Sequence, residues 1–238
     1  MEPVIIDETI SSGNQLDLVI TIGGDGTVLA GLIRFPGCPV LVINYGTVGF
    51  LTAGNREELE KILTMIQEGR FTYSERSILE CTHPHGTAYA VNEVVIKGAT
   101  RLVGLQLIIN GQPIRKIRGD GFIVGTATGS TGYLLAAGSP IVMPELRCMI
   151  LSGLNEYDFR ARHLVVTNDS KIELILLPNS REKEIYLAAD GNRKGPLSIG
   201  DRVFIRESDR RAKLIFMESD YFFQNLSSRL SWFNRFEG

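Results

Sequence analysis

The spacing of apolar and polar positions divides the chain into an α/β part followed by a β-rich part. Residues 16–22 form an apolar run that predicts a strand, and residues 27–35 follow with apolar side chains at helical spacing. Residues 39–43 predict a second strand. Residues 56–68 predict a second helix with one apolar stripe and an acidic first turn. This alternation indicates a parallel sheet with a ligand crevice at the carboxyl ends of its strands.

From about residue 73 the pattern changes to apolar runs of strand length separated by turns. Asn110–Gly111 between two such runs is a strong hairpin signal. The predicted fold class is therefore α/β, with a shortened Rossmann-like parallel α/β domain at residues 1–72 and a larger β-sandwich-like domain at residues 73–218. Helical spacing returns in the tail, and residues 219–238 are expected to pack back on the α/β domain.

Composition excludes several classes of protein. The 238 residues carry a formal net charge of −2, so no overall basic field points to nucleic acid. No stretch approaches the roughly 18 uninterrupted apolar residues of a membrane span, and the first residues do not resemble a signal peptide. Three cysteines without regular spacing are typical of a reducing compartment, which favours the cytoplasm.

The stretch IGGDGT stands between the first predicted strand and the first predicted helix. Gly23, Gly24 and Gly26 let the chain turn tightly and let backbone N–H groups face a phosphate, helped by the amino end of the helix. The loop is neither a Walker A sequence nor G-x-G-x-x-G. Asp25 has two interpretations here: it caps the helix that follows, or it is a base beside a bound phosphate.

Two further stretches carry candidate ligand contacts. RGDGFIVGTATGSTGY places Asp120 ahead of a strand that runs into a loop of small hydroxyl residues ending at Tyr133, which suits a nucleotide. NEVVI opens an apolar strand with Asn92 and Glu93. Because adjacent strand residues point to opposite faces, both side chains reach one ligand only if Asn92 lies in the preceding loop.

The cluster CTHPH at residues 81–85 is interpreted as a hairpin turn. Zinc needs about four ligands, and the sequence contains no second Cys/His cluster to complete a site. No protein metal site is therefore predicted.

The order of the motifs resembles the NAD kinase family. IGGDGTVL, INYGTVGFLT, VNEVVI, RGDGFIVGTATGSTGYLLAAGSPIV, DGN and SDYFFQNLSSRLSW follow one another from about residue 16 to residue 233. GGDG alone also occurs in sphingosine kinases, diacylglycerol kinases and phosphofructokinases. TATGSTGY together with RGDG and NEVV is far more specific to NAD kinases.

The resemblance implies phosphoryl transfer from ATP or polyphosphate to the 2′-hydroxyl of the adenosine ribose of NAD, which makes NADP. It assigns Asp25 as the catalytic base, and Gly23, Gly24, Gly26 and Thr27 as the phosphate loop. It also implies Mg²⁺ or another divalent cation as cofactor, and a homodimer or homotetramer. The positions that match the family's substrate contacts are Gly26, Asn92, Glu93, Arg101, Arg118, Asp120, Thr131, Gly132, Tyr133, Leu134, Leu135, Ala136 and Asn192.

The chain departs from the family pattern ahead of GGDG, where members usually have another strand and helix. We expect this to affect the ATP side of the crevice more than the NAD side. The alternative prediction is therefore a non-catalytic NAD(P)-binding homologue or subunit that lacks a complete ATP site. A lipid kinase of the same superfamily is disfavoured because TGSTGY and NEVV suit a nucleotide and no membrane-binding surface is evident.

Overall fold

The computed structural model describes residues 16–44 and 49–230, which contain four α-helices, two short 3₁₀ turns and fifteen strands. The helices are α1 (Asp25–Arg34), α2 (Leu59–Gln67), α3 (Tyr133–Ala136) and α4 (Tyr221–Leu230), and the 3₁₀ turns are Arg56–Glu58 and Thr128–Thr131. The strands are β1 (Val19–Ile22), β2 (Pro39–Asn44), β3 (Gly54–Asn55), β4 (Thr72–His83), β5 (Gly86–Ala90), β6 (Glu93–Gly98), β7 (Val103–Ile109), β8 (Gln112–Gly119), β9 (Gly121–Thr126), β10 (Cys148–Leu154), β11 (Leu164–Thr167), β12 (Ile172–Leu176), β13 (Ile185–Ala189), β14 (Asn192–Leu197) and β15 (Arg202–Phe216). None of the helices in these ranges is long and apolar enough to cross a membrane.

The N-terminal part is the predicted parallel α/β arrangement. β1 pairs with β2 in parallel, and β2 pairs in parallel with the end of β15. α1 covers this sheet with Val28 and Leu32, both fully buried. The predicted second helix begins as a 3₁₀ turn, which is common at helix ends, and Asn55 and Glu58 form a reciprocal capping box there.

The strands of the β-rich part lie in two sheets that share one core, as predicted for a sandwich, and one of these sheets also contains the N-terminal parallel strands. A nine-stranded sheet follows the order β1-β2-β15-β12-β7-β8, with β3, β4 and β5 attached beside it, and a six-stranded sheet follows the order β11-β10-β9-β6-β13-β14. One buried apolar cluster takes side chains from both sheets, including Leu105 from β7 and Phe122 from β9. The Asn110–Gly111 hairpin is confirmed, with φ of 51° and 79° at the two turn residues.

The long strand β15 connects the two parts. Its first residues pair with β12 in the β-rich part, whereas Lys213–Ile215 pair with β2 in the parallel part. The nine-stranded sheet therefore runs without interruption past residue 72, where the domain boundary was placed, and that boundary stays a prediction. α4 follows directly and buries Phe222 and Leu226, while its Tyr221 stacks on Phe216 at the end of β15 with 3.5 Å between ring centroids.

Candidate functional site

The GGDG loop places the carboxylate of Asp25 at the amino end of α1. Gly24 occupies the N-cap position without a side-chain cap, and Asp25 is the first residue of the helix. The capping interpretation of Asp25 is therefore wrong. Gly23 donates its N–H to the carbonyl of Ile43 at 3.0 Å, and a Cβ at this position would lie 2.6 Å from Oγ1 of Thr27, so a larger residue would displace Thr27.

Three buried oxygen atoms mark residues of the candidate site. Among the described residues, the buried side-chain polar atoms without a hydrogen-bond partner are Oδ1 of Asp25, Oδ1 of Asn92 and Oε2 of Glu93. Buried polar atoms in folded proteins are nearly always hydrogen-bonded, so each exception needs an explanation. All three residues were predicted as site residues from the sequence, and all three atoms are acceptors that a polar ligand with hydroxyl or amino groups can satisfy.

Asn92 and Glu93 project from the junction between a loop and a strand. β6 begins at Glu93, and Asn92 lies in the bend before it, as the alternation argument required for a shared ligand. The carboxylate of Asp190 holds this junction by accepting the backbone N–H groups of Val91, Asn92 and Glu93. The three bonds measure 2.8, 2.8 and 3.2 Å.

The end of β9 and the TGSTG segment that follows it (residues 128–132) pack against the backbone of Asn92. The N–H of Thr126 donates to the carbonyl of Asn92 at 2.9 Å, and a Cβ at Gly129 would overlap the Asn92 backbone. A Cβ at Gly132 would lie 3.3 Å from Nδ2 of Asn92 and 3.4 Å from Oε2 of Glu93. Small residues at these two positions thus allow the 3₁₀ turn at Thr128–Thr131 to approach the Asn–Glu pair.

Glu93 has an unusual proton affinity for a carboxyl group. Its side chain is buried, and burial together with the nearby charge of Asp190 raises its pKa to about 7, while the backbone N–H of Tyr133 opposes the shift. Burial also raises the pKa of Asp190, against the effect of the three amides that it accepts. Two carboxyl groups in one buried region are a frequent feature of functional sites.

α3 presents a mixture of accessible and core residues. Tyr133 is half-buried, and its hydroxyl accepts a hydrogen bond from Nζ of Lys97 at 3.2 Å. Leu134 is fully buried against the six-stranded sheet, where Val95 and Ile123 belong to the same cluster. Its carbonyl accepts the backbone N–H of Ser139 at 3.0 Å, so Leu134 acts here as a core residue. Among the other predicted contacts in this segment, Thr131, Gly132 and Leu135 are partly exposed and Ala136 is exposed.

The remaining predicted contacts lie toward the protein surface. Arg101 and Arg118 are exposed, and the guanidinium of Arg118 lies 5.4 Å from the ring centroid of Tyr157. Asp120 accepts a hydrogen bond from Nδ2 of Asn155 at 2.7 Å. Exposed Asn192 donates to the carbonyl of Asp190 at 3.2 Å, which places it beside the central residues.

Arg76, Asp190 and Gly49 also shape the site, although sequence reasoning did not select them. Arg76 is buried in β4 and donates to Oγ1 of Thr128 at 3.2 Å, and it also bonds to Tyr221 of α4. A Cβ at Gly49 would overlap the Asp25 carboxylate. Asp190 belongs to the DGN motif and Gly49 to the INYGTVGFLT motif, whereas no neighbouring residue in the sequence marks Arg76 as part of a site.

Comparison with known proteins identifies relatives over nearly the whole chain. Residues 6–71 match the family model of the ATP-NAD kinase N-terminal domain, and residues 91–217 match that of the ATP-NAD kinase C-terminal domain. The NAD kinase of Geotalea daltonii is 33% identical over 230 residues, covering 93% of this chain and 80% of that protein.

Two solved structures share the fold. The crystal structure of yeast NADH kinase complexed with NADH superposes with a TM-score of 0.86 at 25% identity, covering 94% of this chain and 68% of the yeast chain. The structure of an NAD kinase from Archaeoglobus fulgidus in complex with ATP gives a TM-score of 0.76 at 30% identity, covering 90% and 83% of the two chains.

Proposed function

The chain belongs to the NAD kinase family, and we propose that it transfers a phosphoryl group from ATP to the 2′-hydroxyl of the adenosine ribose of NAD, with Asp25 as the general base. The observation that carries this assignment of roles is the set of three buried, unpartnered oxygens on Asp25, Asn92 and Glu93. A ribose with two hydroxyl groups supplies donors of the kind that these acceptors lack.

In the proposed reaction, Oδ1 of Asp25 accepts the proton of the 2′-hydroxyl as its oxygen forms a bond to the transferred phosphorus. The bond from that phosphorus to ADP breaks, and ADP leaves with the electron pair. Such transfers depend mainly on alignment and on offsetting negative charge. The amino end of α1 contributes here, because the positive end of its dipole favours phosphate beside Gly24 and Gly26, although the N–H groups of Gly23 and Thr27 bond to the carbonyls of Ile43 and Gly24.

The nucleotide is held by the β-rich part in this proposal. Asn92 and Glu93 accept hydrogen bonds from the ribose and base, Tyr133 stacks on a ring, and Thr131 offers a hydroxyl group. Asn192 contributes from the neighbouring turn. The packing of the TGSTG segment on Asn92 supports this arrangement, because a Cβ added at Gly132 would contact both members of the Asn–Glu pair.

Mg²⁺ fits the residues that the structure describes. Mg²⁺ usually keeps several waters and is held by one or two carboxylates together with substrate phosphates. No group of three or more His, Cys, Asp or Glu residues in the described ranges is arranged to hold a metal, so the ion would arrive with ATP. Bound in that way, the ion would offset the repulsion between the carboxylate of Asp25 and the phosphates while Oδ1 of Asp25 stays directed at the hydroxyl group.

We further propose a homo-oligomer, a dimer or tetramer, in which Asp120 and Arg118 reach the site of a neighbouring subunit. Support comes from their exposed surroundings, where Tyr157 is 73% and Phe159 is 88% exposed. Large exposed aromatic side chains are enriched where proteins associate. Mixing inactive Asp25→Asn with inactive Asp120→Asn protein should restore activity if sites are shared, and should restore none if each subunit is self-sufficient.

A cytoplasmic location is part of the same proposal. Cys38, Cys81 and Cys148 are all free thiols, which is the state that a reducing compartment maintains.

The decisive experiment detects NADP with an NADP-specific dehydrogenase after incubation with NAD, Mg²⁺ and either ATP or polyphosphate. We expect NADP with ATP as donor, and Asp25→Asn should abolish turnover while NAD affinity stays within about tenfold. Asp17→Asn, which makes the same change at an exposed position nearby, is the matched control and should remain active. NAD binding by calorimetry without NADP formation would instead identify a non-catalytic binding protein.

A further inference from the structure

We propose that Asp190 is a positioning residue for nucleotide binding: its carboxylate fixes the backbone from which Asn92 and Glu93 project, and its negative charge makes NAD affinity depend on pH through Glu93. This inference rests on the proposed function, because it takes NAD as the ligand of the Asn92–Glu93 pair.

The first support is the hydrogen bonding of the carboxylate. Oδ2 of Asp190 accepts from Val91, and Oδ1 accepts from both Asn92 and Glu93, so one side chain binds three consecutive amides. The backbone of Asp190 returns a fourth bond, from its N–H to the carbonyl of Glu93 at 3.0 Å. Hydrogen bonds to a charged acceptor are stronger than neutral ones. The direction of the Asn92 and Glu93 side chains therefore depends on Asp190.

The second support is that the turn itself does not require a carboxylate. Asp190 and Gly191 connect β13 to β14 with φ of 46° and 76°, values typical of a two-residue hairpin turn. Asn110 and Gly111 make an equivalent turn in this chain with φ of 51° and 79°. Asparagine thus satisfies the backbone geometry, and the negative charge at position 190 needs another explanation.

The third support is the placement of that charge beside a buried acid. Glu93 is 6% exposed, and its burial, followed by the charge of Asp190, raises its pKa to about 7. From α3 the backbone N–H of Tyr133 acts in the opposite direction, and from β9 the residue paired with Glu93 is Gly125, which has no side chain. Lys194 on β14 lies close enough to favour the ionised form of Asp190.

The direction of the pH effect follows from the unpartnered atoms. Oδ1 of Asn92 and Oε2 of Glu93 both lack donors, so the ligand groups that they face are donors, and the ionised form of Glu93 accepts such groups best. Because its pKa is raised to about 7, a substantial fraction of Glu93 is protonated below neutral pH. NAD affinity should therefore increase from about pH 6 to pH 8.

The experiment measures NAD binding by calorimetry across this pH range for the unaltered protein, Glu93→Gln and Asp190→Asn, with folding checked by circular dichroism. We expect the affinity of the unaltered protein to increase about tenfold from pH 6 to pH 8 and that of Glu93→Gln to be nearly flat. Asp190→Asn keeps the turn but removes the charge and one acceptor. It should bind about tenfold more weakly at pH 8, with the midpoint of its pH profile moved to lower pH.

The outcomes separate this proposal from the proposed function. If Asp190→Asn binds NAD with the same affinity and pH profile as the unaltered protein, Asp190 serves only the turn. If Glu93→Gln keeps the pH dependence of the unaltered protein, Glu93 is not the titrating group. Either result overturns the inference about Asp190 and Glu93. The proposed function would still stand if the unaltered protein forms NADP. Absence of NAD binding by the unaltered protein at every pH overturns both. Asn110→Asp, the reciprocal change in the equivalent turn, is the control and should leave NAD binding unchanged.

Discussion

The carboxylate of Asp25 fills the space that a side chain at position 49 would need. A Cβ built on Gly49 overlaps the carboxylate group of Asp25, although the two residues are 24 positions apart. Gly49 belongs to the loop after β2, and Asp25 follows β1, so the ends of two adjacent parallel strands meet at the proposed base. The carboxyl ends of parallel strands are where α/β sheets bind their ligands.

Gly49→Ala should therefore displace the Asp25 side chain. We expect the melting temperature to fall, by the equivalent of about 1–3 kcal/mol for an overpacked contact, and kcat to fall at least tenfold while NAD affinity changes little. Differential scanning calorimetry and the NADP assay provide the two measurements. In an Asp25→Ala background the overlap is gone, so Gly49→Ala should then cost almost no stability. An equal loss in both backgrounds would mean that the contact with Asp25 is not the cause.

The features that could be predicted from the sequence are those that depend on residues close together in the chain. Asp25 was identifiable because its glycines follow an apolar strand. Asn92 was expected in the loop before its strand if it shares a ligand with Glu93, because adjacent strand residues point to opposite faces. The helices at Asp25–Arg34 and Tyr221–Leu230 were predicted for the same reason, since apolar spacing is a local property.

What could not be predicted depends on contacts between distant residues. Arg76 binds Thr128, which is 52 positions away, and Asp190 binds Asn92, which is 98 positions away. Nothing in the neighbouring residues of Arg76 distinguishes it from an exposed strand arginine. The change of partner along β15, from β12 near its start to β2 near its end, likewise results from tertiary pairing, and the periodicity of the sequence does not predict it.

Arg76→Lys should weaken NAD binding without removing catalysis. The guanidinium donates to Ser74, Thr128 and Tyr221 at once, and a lysine ammonium lacks the planar fork that reaches all three. Loss of the bond to Thr128 should loosen the turn that packs on Asn92, so we expect KM for NAD to rise about tenfold while kcat changes less than about threefold. Steady-state kinetics with each substrate varied would measure this.

Arg210→Lys is the matched control, because Arg210 is exposed and should tolerate the change with unaltered kinetics. A purely structural role for Arg76 would instead lower the melting temperature and leave KM for NAD as it is.

Phe122→Ala should be among the more destabilising single changes in the shared core. Phe122 is 1% exposed between the two sheets, and truncating a buried phenylalanine costs about 3–5 kcal/mol through lost burial and the cavity left behind. Urea denaturation would measure the difference. Phe204 is 46% exposed on β15, so Phe204→Ala should cost far less. Similar losses at both positions would contradict the assignment of the core.

Glu182 should stabilise the loop that carries Arg101, and this contribution should depend on pH. Its two carboxylate oxygens accept the backbone N–H groups of Thr100, Arg101, Lys183 and Glu184. Hydrogen bonds to the ionised form, chiefly from Thr100 and Glu184, lower its pKa to about 2, from a usual value of 4.5. Because the folded pKa is depressed, the stabilisation is complete above pH 4.5 and is lost as pH falls toward 2.

Glu182→Gln should therefore lower the urea midpoint at pH 7, and the difference from the unaltered protein should shrink as the pH is lowered to about 3. The amide that replaces one oxygen of Glu182 cannot accept the N–H groups that this oxygen bound. Glu184→Gln changes an exposed neighbour whose side chain makes none of these bonds, and it should leave the midpoint unchanged at both pH values. A difference that stays constant with pH would show that the contribution of Glu182 does not come from its charge.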